Sequence, residues 1–142
     1  MTKELSHIYD IFPTQKDCID FLERILWKKG PVCPYCQTDS VTPMRGENRY
    51  HCNLCNSGFS VTVLTIFHKT RCDLQKWFLA ALLINNALKK IPARQLAEKL
   101  EVTKDTAWRM LEQMNQNRRF SEFLAQEVNT LNTEYNEKRS HS

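Results

Sequence analysis

No apolar stretch in this 142-residue sequence approaches the roughly 20 residues that a membrane span requires. The longest, Trp77 to Ile84, is far too short. The opening residues, MTKELSHIYD, lack both the basic start and the apolar run of a secretory signal. These absences point to a reducing cytosol, where paired cysteines are metal ligands more often than disulfides. No nucleophile–base constellation of an enzyme stands out along the chain. Charge of one sign is in only slight excess, with a net charge of +4. Residues 1–30 carry five Lys/Arg against five Asp/Glu, 31–72 four against two, 73–118 eight against five, and 119–142 three against four. The whole positive excess therefore lies between Pro31 and Arg118, and a basic middle suits a polyanionic partner.

What the sequence does have is a cysteine pattern. Four of its six cysteines fall as Cys33-x2-Cys36-x15-Cys52-x2-Cys55, the spacing of a four-cysteine zinc site. Two cysteines separated by two residues turn their sulfurs inward around one tight turn. A second such knuckle completes a tetrahedral shell around Zn2+. Pro34 fixes the backbone inside the first turn. Gly46-Glu47-Asn48 marks a hairpin turn, "RYHC" a short strand, and "GFSVTV" (58–63) alternates in the manner of another strand. This is the layout of a zinc ribbon. A shell of four sulfurs leaves no position for water, so the ion is structural rather than catalytic. Its binding contributes on the order of 10–16 kcal/mol, more than a core this small supplies alone. A rubredoxin-like iron site uses similar knuckles, and spacing alone does not separate iron from zinc. Cys18, in a helical repeat with Phe21, Leu22, Ile25 and Leu26, reads as a small core residue, and Cys72 as a helix-start residue. The acidic side chains of that first helix (Asp17, Asp20, Glu23) read as its solvated face.

From Asp73 the texture becomes helical. "DLQKWFLAALLINNALKK" is a helix that Asp73 can cap, apolar nearly all round in its middle and so covered on several sides. Then come two apolar stripes, Ala93/Leu96/Ala97/Leu100 and Ala107/Met110/Leu111/Met114, separated by Glu101-Val102-Thr103. Thr103 is a good N-cap, and Asp105 suits the helix dipole. Two short helices around a tight turn form a helix-turn-helix pattern. Its second helix, from Lys104 to Met114, would enter a major groove with Lys104, Arg109 and Gln113 outward. Arg109 and Gln113 have the chemistry to address guanine and adenine edges. Lys89, Lys90, Arg94 and Arg118 suit phosphate contacts, with Arg119 beside them, as do Arg45, Arg49, Lys69 and Arg71 in the ribbon. Trp108, at the edge of the stripe, is expected to pack half-buried.

Taken together, "IFPTQKDCIDFLERILWKKGPVCPYC" (11–36), "YHCNLCNSGFSVTVLTIFHKT" (50–70), Leu74-x-x-Trp77-Phe78 and "ARQLAEKLEVTKDTAWRML" (93–111) resemble the N-terminal region of bacterial insertion-sequence (ISXO-like) transposases. In that family a zinc ribbon and a helix-turn-helix precede a DDE nuclease domain. The resemblance implies recognition of transposon ends and one structural Zn2+. Departures occur at Gln37, where the family has glycine, at Glu101 in the turn, and at Pro92 in place of a serine cap. The three carboxylates that the family's nuclease uses with two metal ions have no counterpart here. Residues 119–142 contain no strand pattern, and no aspartate follows Asp105. Phe120, Phe123, Leu124, Val128 and Leu131 instead mark one more amphipathic helix.

The expected fold is small and α+β: an N-terminal helical segment (1–30), a zinc ribbon (31–70), a helix-turn-helix module (73–118) and an amphipathic C-terminal helix (119–142). The expected function is sequence-specific binding of double-stranded DNA by a truncated transposase or short regulatory form without nuclease activity. A second copy or a companion transposase chain is the expected protein partner, and a cytoplasmic, nucleoid-associated location follows. The alternative is a protein-interaction module acting on a separate transposase or transcription partner.

Overall fold

The computed structural model describes residues 1–45, 48–63, 65–68 and 70–140. It forms two compact units, Thr14–Arg71 and Met1–Pro13 joined with Cys72–Ser142. As expected, the chain is α+β. Among the described residues there are six helices and one three-stranded antiparallel sheet of order β1-β2-β3. No described helix is long and apolar enough to cross a membrane.

The first unit opens with α2 (Gln15–Leu26), which follows α1 (Lys3–Ile11) in the chain. Thr14 and Asp17 form a capping box: the Thr14 hydroxyl accepts from the Asp17 amide, and the Asp17 carboxylate accepts from the Thr14 amide. Such a box satisfies two orphan donors at the helix start. The helix buries Cys18, Phe21, Leu22 and Ile25, the face read from the sequence. The sheet consists of β1 (Val41–Pro43), β2 (Tyr50–Cys52) and β3 (Gly58–Phe59). Val41 stands opposite Cys52, and Tyr50 opposite both Pro43 and Phe59. Of the hairpin turn expected at 46–48, Gly46 and Glu47 lie outside the described residues.

The strand expected over 58–63 ends at Phe59. Hydroxyl side chains explain the shortening. Ser60 and Thr62 share a 2.9 Å hydrogen bond, the Thr65 hydroxyl donates to the Thr62 carbonyl at 2.5 Å, and the Val63 amide donates to the Ser60 carbonyl at 3.2 Å. These local bonds offer the backbone a turn in place of a ladder.

In the second unit α3 (Leu74–Asn86) is central, contacted by α1, α4 (Ala93–Leu100), α5 (Lys104–Gln116) and α6 (Arg118–Ser140). It buries Leu74, Trp77, Phe78, Leu79, Ala80 and Ala81, which is why its sequence is apolar nearly all round. Phe12 meets Phe78 edge to face at 5.0 Å, and the buried Gln75 amide donates to the Phe12 carbonyl at 2.9 Å. Helix α1 has no separate place in the sequence reading, although Leu5, Ile8 and Phe12 repeat at helical spacing and are all buried.

Two expectations for α3 fail at its ends. Asp73 occupies the N-cap position without a side-chain cap bond, because its carboxylate accepts from the Tyr9 hydroxyl instead. The helix also stops at Asn86 rather than running through Lys90, leaving Leu88 fully exposed. Asn85 turns its amide back to the Ala81 carbonyl at 2.7 Å and across to the Ser121 hydroxyl at 2.9 Å, while Asn86 pairs with Asn129. Short polar side chains that bond the backbone locally favour helix ends over helix interiors. Helix α6 packs on α3 through the buried Ser121, Leu124, Ala125 and Val128, so the tail is the amphipathic helix its spacing indicated.

Candidate metal centre and the basic helical face

The four cysteines at ligand spacing converge. One ligand atom from each of Cys33, Cys36, Cys52 and Cys55 lies within 4.8 Å of all the others. The Cys36 and Cys52 sulfurs are 3.3 Å apart and those of Cys33 and Cys55 are 3.7 Å apart. A tetrahedron with Zn–S bonds of about 2.3 Å has edges of about 3.8 Å, so the cage has the size of one Zn2+. None of the four sulfurs is bonded to another, since 3.3 Å is far beyond a disulfide bond of about 2.05 Å. Cys18 is buried in α2 and Cys72 lies outside the quartet, as expected.

Local backbone bonds build both halves of the cage in the same way. In the first knuckle the Gln37 amide donates to the Cys33 carbonyl at 2.9 Å and the Cys33 amide to the Thr38 carbonyl at 2.9 Å. In the second, the Asn56 amide donates to the Cys52 carbonyl at 3.0 Å and the Cys52 amide to the Ser57 carbonyl at 2.9 Å. Gln37 and Asn56 close the turns in the left-handed region, at φ 65° and 61°. Glycine adopts this conformation without a steric cost, whereas Gln37 adopts it with a Cβ. A Cys55 amide donating to the Cys52 sulfur at 3.4 Å helps to orient that ligand.

The inner cysteines, Cys33 and Cys52, are buried against Phe59, with Trp27, Val41, Tyr50 and Val63 around them. Trp27 stands edge-on to Tyr50 at 5.3 Å and to Phe59 at 6.0 Å, and Tyr50 stacks on Phe59 at 5.8 Å. The outer cysteines, Cys36 and Cys55, face solvent. Hydrogen bonds from Ser57, side chain first and then backbone, bring the Cys55 thiol down to about 6. At Cys36 the Thr38 backbone favours the thiolate, but the crowding sulfurs, led by Cys52, outweigh it and push the thiol up to about 12. Four sulfurs this close cannot all ionise unaided, whereas a divalent cation among them reverses that balance. When bound, Zn2+ supplies a closed crosslink between the knuckles, with no coordination position left for a reacting water.

The acidic face of α2 does more than meet solvent. Glu23 accepts from the Tyr50 hydroxyl at 2.8 Å and from the Asn48 amide at 3.3 Å, and Asp20 accepts from Asn48 at 2.8 Å. The Asn48 bond, with Lys16 beside it, holds the Asp20 carboxyl below its usual range. These contacts tie the helix to the sheet. Alternating polar residues in the sequence gave no sign of them, because they depend on the pairing of distant segments.

A three-stranded sheet carrying two knuckles around one metal cage is a zinc ribbon. Residues 13–57 match the family model described as transposase zinc-ribbon domain (IS1595). The chain is also similar to an uncharacterized protein in transposable element ISH50 of Halobacterium salinarum, with 29% identity over 107 residues. That alignment covers 71% of this chain and 35% of the relative, so the chain spans about a third of the length of the curated relative it matches. No solved structure matches.

The residues read as nucleic-acid contacts are distributed over both units. In the helical unit Lys89, Lys90, Arg94, Lys104, Arg109, Gln113, Arg118 and Arg119 are all exposed. Helix α5 starts as read: the Thr103 hydroxyl accepts from the Thr106 amide at 3.1 Å. It buries Ala107, Met110 and Met114 and turns Lys104, Asp105, Arg109, Glu112 and Gln113 to solvent. The turn before it places Glu101 at φ 55°, the left-handed conformation for which glycine is the usual choice. Pro92 starts α4 without a side-chain cap bond. Trp108, expected half-buried at the edge of the stripe, is 57% exposed. In the ribbon unit Arg45, Arg49 and Arg71 are exposed, and Lys69 lies outside the described residues.

Proposed function

We propose that this chain is a sequence-specific binder of double-stranded DNA that recognises transposon ends as part of, or as a short form of, a transposase. The observation that carries the reading is α5: a capped helix whose Met/Ala face is buried and whose opposite face displays Lys104, Arg109 and Gln113. It stands in a chain whose zinc ribbon is of transposase type. Arg109 and Gln113 address base edges in the major groove; Lys89, Lys90, Arg94 and Arg118 neutralise phosphates, aided by Arg45, Arg49 and Arg71. The zinc ribbon contributes a fixed scaffold and backbone contacts. No strand cleavage is assigned to the described residues, whose converging metal-ligand groups are thiols rather than the carboxylates of a two-metal nuclease. A site in the cytoplasm, on the nucleoid, accompanies this role.

The test is fluorescence anisotropy with double-stranded oligonucleotides drawn from a randomised library, over a range of salt concentrations. Selection of a common motif and a steep fall of affinity with salt support the reading. Binding that ignores both sequence and salt contradicts it.

A second reading has its own observation. The knuckle tips expose Tyr35 (55%) and Leu54 (68%), and no Lys or Arg occurs in residues 31–44 or 50–63. Such an end, without cations and partly apolar, suits contact with a companion transposase chain better than contact with phosphate. Association that persists without DNA and at high salt, and that weakens in Tyr35→Ser/Leu54→Ser, supports it.

A further inference from the structure

We infer that Trp108 is a specificity-determining residue whose indole packs against the 5-methyl group of a thymine in the major groove. The inference rests on the DNA-binding reading and adds a contact that the charged and polar residues of α5 do not supply.

Trp108 belongs to the outward face of α5 by helical spacing. It lies one turn after Lys104, one turn before Glu112, and beside Arg109. At 57% exposed it contrasts with Trp77, which is 6% exposed in the core of the same unit. A large aromatic left in water forgoes burial that its size would otherwise reward. Its indole N–H has no protein partner among the described residues. The side chain therefore has an apolar face and a donor, both free for a ligand.

The surroundings select the ligand. Trp108 and Leu111 form one wall of an open groove of about 510 Å3, with Ile91, Pro92 and Ala93 among the other lining residues. Lys90 lines it as well, and Lys89, Arg94, Lys104 and Arg109 are exposed on the neighbouring segments. Glu112 is the acidic residue of the lining. An apolar element set among cations matches the major-groove edge of duplex DNA, where phosphates flank the thymine methyl, the apolar mark on a base pair. An apolar protein partner would not account for the cations. Arg109 and Gln113 discriminate through hydrogen bonds; Trp108 discriminates through a methyl group, and so reads A·T pairs by a different chemistry.

The experiment uses the full chain with bound zinc and duplexes carrying the motif selected from the randomised library. Each thymine in the motif is replaced in turn by uracil, which removes only the methyl. For the unmodified protein, one replacement is expected to weaken binding by roughly three- to fivefold, the worth of one buried methyl. Trp108→Ala and Trp108→Gln are expected to bind the thymine and uracil duplexes equally, with unchanged helix content and an unchanged dependence on salt. If both variants retain the discrimination of the unmodified protein, or if the unmodified protein shows none at any position while still selecting a motif, the Trp108 inference is overturned and the DNA reading survives. If the unmodified protein selects no motif at all, both are overturned.

Discussion

The Tyr50 hydroxyl donates to the Glu23 carboxylate at 2.8 Å, joining helix α2 to the central strand of the ribbon. Burial, and then the hydrogen bond to Glu23, push the Tyr50 hydroxyl up to about 12. A raised folded-state value means that the protonated phenol stabilises the native state. That contribution is complete below the unfolded value of about 10 and is lost as the pH rises through about 12. Urea denaturation of the zinc-loaded protein should therefore show stability falling above about pH 10. Tyr50→Phe should cost about 1 kcal/mol at neutral pH and flatten that alkaline fall. An unaltered alkaline profile in Tyr50→Phe would remove this bond from the account.

Gln37 and Glu101 sit in left-handed backbone at φ 65° and 55°. For a residue with a Cβ this costs about 1–2 kcal/mol, against about 0.5–1 kcal/mol of extra chain entropy lost by glycine. Gln37→Gly and Glu101→Gly are each expected to raise stability by up to about 1 kcal/mol. Loss of the exposed Glu101 pairing with the N-terminus, 3.6 Å long, subtracts little. Asn56→Val at φ 61° should do the reverse and destabilise. Thermal unfolding of the three variants checks the signs.

Phe78 is fully buried and meets Phe12 edge to face at 5.0 Å. Phe78→Ala is expected to cost about 3–5 kcal/mol in the helical unit through lost burial and a cavity. Hydrogen exchange, which resolves the two units, should show weakened protection in α1 and α3 and unchanged protection around the cysteines. Loss of protection at the knuckles would mean that the units are energetically coupled.

Arg109 and Lys90 are both exposed cations of the helical unit, but the DNA reading gives them different tasks. Arg109→Ala should relax preference at one base pair by about 1–3 kcal/mol, whereas Lys90→Ala should weaken binding to all sequences alike and reduce the salt slope by about one. Binding titrations against a panel of single-base variants distinguish the two. An unchanged base preference in Arg109→Ala would show that α5 is oriented differently.

The legible parts of the sequence were those fixed by local chemistry. Cysteine spacing specified the cage, and apolar spacing specified α2, the buried middle of α3, and α6. Thr103 marked the start of α5 because a cap acts within one turn. The misread parts depended on a partner distant in sequence. Asp73 fails to cap α3 because Tyr9 takes its carboxylate, and α3 stops early as Asn85 and Asn86 reach Ser121 and Asn129. Glu23 and Asp20 looked solvated because Tyr50 and Asn48 lie far along the chain. Helix α1 could have been read from Leu5, Ile8 and Phe12, a spacing present in the sequence from the start.

The arrangement of the ribbon rests on a single ion held by four sulfurs. X-ray absorption at the metal edge, on protein purified without chelators and with its metal content measured, tests this most directly. The prediction is one zinc per chain with four sulfur neighbours at about 2.3 Å. A chain that folds with no bound ion, or an ion with fewer than four sulfurs around it, would contradict it.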